Sequence, residues 1–460
     1  MNRKSFFKHL SFLTASAGIF ARAAEAAKAK VGIAPKKKFT YDKKIFKLGK
    51  YTIRVKIPEY FKPKMKDLSF VFRRDNMQFE DPTNLQPKID GDFFVFDVEF
   101  TAEDKYYINV HDKSKKKRAY LPIESISMYA LAEDLYETRV MKGDSHIHTT
   151  NSDGKFSPDE VALRCYEVGL DYQAISDHRR WDTSDIIMKK FGKYNTSMTF
   201  YHAEECHFAK DDIQNFGGSQ GLTKYVNANK AEFEKLVAEK MASLPKDMEK
   251  PVKLEVATVE AEAHLIRQFG GIPVFNHPYW ITSRGFYNKS VDAIWERKSV
   301  DAIETVTFGR RHGNRPYSTS LLIEKNAEMR ERGIKIPLIG TTDAHHISNQ
   351  GNAYTIVFTK SNKWEDTKQA VLARRMVAVC DSTYNELELE KRETMMYGER
   401  RFIKYANFLI KEYFPAHDKL IAEEGKVLAE IIQKGETEER LAKLKVLSEK
   451  AKAYWDSVKA

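Results

Sequence analysis

The sequence predicts an α/β fold. Strands alternate with helices over residues 141–385, a small antiparallel β-sandwich precedes them at 38–140, and a helical extension follows at 386–460. Three observations support this reading. Hydrophobic residues first recur with period two, between turn-forming prolines. The pattern then switches to short apolar runs separated by helical stretches, which implies a parallel sheet. Most of the chemistry-bearing residues follow an apolar run, at the C-terminal end of a predicted strand, and in a β/α barrel those ends share one mouth.

The elements follow in order. Residues 1–23 resemble an export signal: Arg3, Lys4 and Lys8, an apolar stretch at 10–20, then Ala21-Arg22-Ala23. Asn2-Arg3-Lys4-Ser5-Phe6-Phe7-Lys8 is similar to a twin-arginine signal with Lys in place of the second Arg. A general secretory signal and a frayed amphipathic terminus are the alternatives. Either signal places the protein outside the cytoplasm, in a bacterial periplasm. The Ala- and Lys-rich residues 24–37 are a linker. Tyr51, Ile53, Val55 and Ile57 alternate with polar residues, as do Phe94, Phe96, Val98 and Phe100 after the turn Asp90-Gly91-Asp92.

From residue 140 the pattern is that of strand and helix in turn. A strand at 140–148 puts Asp144, His146 and His148 on one side. Ser157-Pro158-Asp159-Glu160 is a capping box with Pro at the first helical position, and Gly169 is a plausible stop. Strands at 170–176, 198–206, 272–275, 302–308 and 336–340 run into Asp177-His178, Glu204-Glu205-Cys206-His207, Asn276-His277-Pro278, Gly309-Arg310-Arg311-His312 and Asp343-Ala344-His345. Helices are expected near 223–243 and 256–269. Beyond 386, Phe402, Tyr405, Ala406 and Leu409, and then Leu420, Val427, Leu428 and Ile431, lie at helical spacing and are packing stripes.

Composition narrows the function classes. The net charge of +11 suits an anionic substrate, but Lys and Glu are interspersed and no single-sign stripe marks a nucleic-acid partner. Three scattered cysteines, Cys165, Cys206 and Cys380, form neither a disulfide framework nor a thiolate zinc site. No apolar stretch is long enough to span a bilayer. Oligomeric state is not written in the sequence. Imidazole and carboxylate gathered at strand ends outline a site for Zn, Mn or Fe. Carboxylates let two such ions sit close, sharing a water whose pKa falls toward neutrality and which becomes the nucleophile.

The motif order resembles the PHP (polymerase and histidinol phosphatase) superfamily of metal-dependent hydrolases over about residues 142–385. It runs Asp-x-His-x-His with Ser-Asp-Gly, Ser-Asp-His, a Glu after the third strand, Asn-His-Pro, then Asp-Ala-His. Glu204-Glu205-Cys206-His207 with Asn215-Phe216-Gly217-Gly218 further resembles an exported branch that includes carbamate-ester hydrolases. The resemblance implies a distorted, TIM-like, seven-stranded β/α barrel and two or three divalent ions. Their ligands would be His146, His148, Asp153, His178, Glu205, His277, Asp343 and His345, with Glu204 as the alternative to Glu205. Where the branch carries a further histidine, this chain has Gln214, so either His207 substitutes or the third metal is weak or absent. His202 and His264 are poorer candidates.

Other groups have expected roles around the cluster. Asp177 would orient a histidine from behind. His207 or His345 would protonate the leaving group. Arg179, Arg180, Arg310 and Arg311 would reach the mouth to bind an anion or form surface ion pairs instead. Tyr279 and Trp280 would wall the pocket or pack. The expectation is an exported phosphoesterase using a metal-bridging hydroxide on a small anionic substrate. The alternatives are hydrolysis of an amide, ester or carbamate, and a non-catalytic binding protein stabilised by its metals.

Overall fold

The structure is a computed structural model that describes residues 38–75, 82–114, 121–279, 288–306, 315–383 and 392–460. The predicted signal, the linker, Trp280 and the Gly309-Arg310-Arg311-His312 segment lie outside the described residues.

Two antiparallel-rich sheets form first. Gly49–Lys56 pairs with Phe93–Phe100 and this with Lys88–Asp90; a five-stranded sheet runs Ile45–Lys47, Glu124–Leu131, Asp104–Asp112, Leu68–Arg74, Thr83–Leu85. The period-two residues point inward. Ile53, Val55, Phe94, Phe96 and Phe100 meet Phe70, Ile108 and Ile126 in one core. Phe70 packs edge-on to both Phe94 and Phe96, an arrangement aromatic quadrupoles favour.

The remainder is mixed α/β. One sheet has the order Thr199–Phe200, Tyr172–Gln173, Arg139–Asp144, Ala353–Thr359, Met376–Thr383, Arg392–Gly398; another has Ala203–Cys206, Ile213–Phe216, Ile272–Phe275, Ala302–Val306, Leu338–Gly340. The described ladders do not close into a seven-stranded barrel. Instead, two isolated bridges, His178 with Glu205 and Ile147 with Ala344, tie the sheets together at the strand C-terminal ends. Between the sheets Met141, Ala174, Ala203, Phe216, Val274 and Ile339 share a core.

The structure departs from the expected elements at several points. Ile213–Phe216 was not anticipated, and it runs antiparallel to both of its neighbours. The six residues between Cys206 and Ile213 are too few for a crossover helix, so the chain must return as a hairpin. The strand expected over 140–148 ends at Asp144. The helical extension has a strand before it, Arg392–Gly398, paired with Met376–Thr383. Helices then span Arg400–Glu412, Phe414–Lys434 and Glu438–Val458. Their stripes, including Phe402, Tyr405, Leu409, Val427, Leu428 and Ile431, bury against Val140, Ile356 and Phe358. Buried Lys142, on the first strand of the six-stranded sheet's parallel half, pairs with Asp418 of the second of these helices at 2.7 Å. The capping box is as expected: the Ser157 hydroxyl accepts from the Glu160 N–H, and the Glu160 carboxylate accepts from the Ser157 N–H at 2.9 Å. Among the described residues no helix is long and apolar enough to cross a membrane.

Helix Lys250–Gln268 buries Glu262 completely. Burial pushes its carboxyl well above the ordinary range, and the nearby carboxylates of Glu255 and Asp212 add to the rise. A folded-state pKa above the unfolded one stabilises the fold fully below the unfolded value near 4.3, and the contribution is lost as pH rises. Glu262→Gln, which cannot ionise, should therefore melt progressively higher than the parent from pH 5 to pH 8, with the smallest difference at pH 4. Thermal melts followed by circular dichroism across that range check it.

Candidate metal centre

Two segments that follow strands are laced together to form the floor. Asp144, at the end of Arg139–Asp144, accepts from the Thr342 N–H at 3.2 Å and from the Thr342 hydroxyl. The His148 N–H donates to Ala344 O at 3.0 Å, and the Lys155 N–H to His345 O at 2.9 Å. Asp144 thus braces the floor and joins no ligand group. Burial raises its carboxyl to about 7, against the pull of the Thr342 and His146 donors. Asp177 closes the loop between, accepting from the Thr149 N–H, the Thr149 hydroxyl and the Ser152 hydroxyl, each at 2.6 Å. Its partners are these rather than a histidine, so it shapes the loop that carries Asp153. Gly154 has to be glycine there, because a Cβ would lie 2.6 Å from the His148 backbone.

Glu205 is the centre of what this framework holds. Its Oε2 lies 3.3 Å from His146 Nε2, 3.3 Å from His148 Nε2 and 2.8 Å from His178 Nδ1; its Oε1 lies 3.0 Å from His277 Nε2 and accepts from Asn276 Nδ2 at 2.9 Å. Asp343 Oδ1 stands 3.3 Å from His146 Nε2 and 3.0 Å from His148 Nε2. Toward the rim, Asp153 Oδ1 approaches His178 at 3.4 Å and His345 at 3.2 Å. Exposure rises along the same path: His146 and Glu205 are fully buried, while Asp153 is 55% exposed. His207 continues the cluster, with Nε2 2.5 Å from His178 Nδ1 and Nδ1 2.5 Å from Asp212.

Five overlapping groups in this cluster have ligand atoms close enough to share an ion. They are His148/Asp153/His178/His345, His146/His277/Asp343, His146/His148/Glu205, His178/Glu205/His207 and Glu205/Asp212/His277. The donor set fits divalent cations. Ring nitrogens face each other at 3.0 Å (His146, His148) and 2.5 Å (His178, His207), and two such lone pairs need a proton or a cation between them. Glu205 Oε2 and Asp343 Oδ1 are buried and face imidazole nitrogens at 2.8–3.3 Å. Imidazole and carboxylate without thiolate suit Zn, Mn or Fe.

The charges are strongly coupled. Burial alone would lower the imidazoles, but Glu205, Glu304 and Asp343 hold His146 well above its usual value. Asp153 and Glu205 carry His178 up to about 10 in the same way, and Glu205 carries His277 to about 9. Burial would raise Glu205, yet the charge of His146 holds it well below the carboxylate range. The backbone is strained at the same place. Arg179, His277, Tyr279 and Asp343 have φ of 58°, 27°, 64° and 46°, conformations that non-glycine residues adopt at a cost of about 1–3 kcal/mol each.

Among the expected site residues, His146, His148, Asp153, His178, Glu205, His207, His277, Asp343 and His345 come together. Glu204 does not. Strand alternation turns it away from the cluster, where it accepts from the Leu222 and Thr223 N–H groups at the start of helix Leu222–Ala228. Arg180 forms a surface pair with Asp182 at 2.8 Å, whereas Arg179 is exposed beside His178. Tyr279 is buried and donates to Asp292 at 2.7 Å. His202 pairs with Asp185 and stacks on Trp181, and His264 joins no ligand group. Gln214 donates to Ser145 O and braces the floor. Sequence reasoning passed over Asp212 and Glu304. Glu304 carried a signal, a single charge in the apolar strand Ala302-Ile303-Glu304-Thr305-Val306, since a buried charge requires partners.

No family model matches the chain. The chain is 25% identical over 266 residues to the DNA polymerase/3'-5' exonuclease PolX of Bacillus subtilis, a match covering 55% of this chain and 43% of that protein's length. It is also similar to the crystal structure of a two-domain protein from Bacteroides vulgatus containing a predicted PHP-like metal-dependent phosphoesterase, at 16% identity and a TM-score of 0.35, over 57% of this chain and 76% of that one. An amidohydrolase from Chromobacterium violaceum matches at 13% identity and a TM-score of 0.29, over 44% of this chain and 87% of that one. The order of motifs in the chain resembles that of PHP-type proteins, and the chain spans less than half the length of the PolX protein it matches.

The two adjacent glutamates should separate cleanly on substitution. Glu204→Ala removes a buried acceptor from two backbone donors and should cost about 1–3 kcal/mol in urea unfolding while metal content stays at the parent level. Glu205→Gln should lose bound metal. Elemental analysis beside the unfolding curves checks both.

Proposed function

We propose that this chain is a metal-dependent hydrolase of small phosphoesters, with residues 141–385 as its catalytic unit. The observation that carries the reading is Glu205, a buried carboxylate met by His146, His148, His178 and His277 with Asp343 beside them. His146, His148, Glu205 and Asp343 would hold one divalent ion, and Asp153, His178 and His345 another. Glu205, Asp212 and His277, with His207 beside them, would hold a third. When bound, such ions lower the pKa of water and polarise the scissile group.

The chain's own residues supply the rest. Asn276 holds Glu205 in place through Oε1. The buried floor keeps solvent from His146 and His148, while the access side is lined by His178, Asp153 and His345. His345, 35% exposed at that rim, is placed to hold a proton for a departing group if no ion takes its Nε2. Arg179, which follows His178 in the chain, is exposed, and the chain's net charge is +11; both favour an anionic substrate. Export through the N-terminal segment belongs to the same proposal, and it places the activity in the periplasm.

His148→Ala should abolish hydrolysis of nitrophenyl phosphate, by a factor of about 10³ or more, with the circular dichroism spectrum unchanged. The same preparation assayed on a nitrophenyl ester decides the reaction. Turnover of the ester alone would replace the phosphoester reading with carbonyl hydrolysis. A metal-loaded parent inert toward both would count against an enzyme and favour a binding protein stabilised by its metals.

A further inference from the structure

We propose that Glu304 is a positioning residue that orients the ligand shell from behind. The inference rests on the metal-centre reading above and adds a residue to it. Glu304 sits near the end of strand Ala302–Val306 and is 1% exposed. It belongs to none of the groups that could share an ion. Both of its oxygens are engaged elsewhere. Oε1 lies 2.8 Å from His146 Nδ1 and accepts from the Thr341 hydroxyl. Oε2 accepts from the His277 N–H at 2.7 Å.

Each of these contacts governs a different segment of the centre. An imidazole has two nitrogens, and a carboxylate at Nδ1 keeps the proton there. The lone pair of His146 is then left on Nε2, which faces Glu205, Asp343 and His148. The same carboxylate holds the N–H of His277, whose φ of 27° is a conformation the backbone does not keep unaided. Thr341, the third partner, follows strand Leu338–Gly340 and precedes Asp343 by two residues. One side chain therefore sets the tautomer of His146, the backbone of His277 and the start of the Asp343 loop. Partners of this kind typically change metal affinity by about 10–100-fold when removed.

The test is zinc affinity of the full chain, measured by competition with a chromogenic chelator, for the parent, Glu304→Gln and Glu304→Asp. Urea unfolding of the metal-free forms runs alongside. An amide at 304 can no longer accept from both His146 and His277, so Glu304→Gln should bind its tightest zinc about 10–100-fold more weakly. Glu304→Asp keeps the charge but withdraws it by one methylene, and it should fall between the other two. Should Glu304→Gln fail to fold, Glu304→Asp carries the comparison, and equal affinity to the parent in that variant overturns the inference. A role confined to stability would lower the unfolding midpoint and leave zinc affinity unchanged, which likewise overturns it. A parent that retains no zinc defeats the metal-centre reading itself, and this inference with it.

Discussion

The structure depends on one electrostatic constraint: a carboxylate, Glu205, is buried where four imidazoles converge on it. An isolated buried charge is strongly unfavourable. Here each group makes the others tolerable. His146, His148 and His178 lower the carboxylate, and it raises them and His277 in turn. Without cations these rings must hold protons to keep the balance. Divalent ions supply the same positive charge while displacing those protons, so the cluster is suited to exchange one kind of charge for the other.

Everything around the centre keeps those groups from separating. Among the described residues no strand ladder joins the two α/β sheets around the mouth. The join comes from single bridges at His178–Glu205 and Ile147–Ala344, and from Asp144 accepting from Thr342. Carboxylates that are not ligands recur in this role: Asp144 under the floor, Asp177 in the Thr149–Ser152 loop, Glu204 at a helix start and Glu304 behind His146. The strained residues His277 and Asp343 are candidate ligands themselves. Strain of that kind persists only when the surroundings over-determine it, and the backbone and side-chain bonds around them do so.

Much of this was legible in the sequence, and the reason is local. Period-two alternation at Ile53, Val55, Phe94 and Phe96 reports which face is buried. Ser157 and Glu160 are three residues apart, so their reciprocal caps can be read directly. Most of the candidate ligands could be picked out because they follow an apolar strand. What escaped depends on contacts between residues distant in sequence. Glu304 and His146 are 158 positions apart, and no spacing rule joins them. Asp144 shares the motif with His146 and His148, but the strand ends there and its carboxylate turns to Thr342. The hairpin strand Ile213–Phe216 is only four residues long and follows two aspartates, so no apolar run marks it, and Arg392–Gly398 lies within the segment expected to be helical from 386. Which of Glu204 and Glu205 faces the histidines depends on the strand register, which the sequence leaves open; the strand pairs Glu205 with Gln214 and Glu204 with Asn215, and the two side chains point to opposite sides.

Anomalous diffraction from crystals grown with zinc or manganese measures directly where metal sits. Data on either side of the metal's absorption edge should give density between Glu205, His146, His148 and Asp343, with the carboxylate of Glu205 in contact with the ion. Anomalous density confined to surface histidines such as His202, with the space around Glu205 empty in metal-soaked crystals, would contradict the account at its centre.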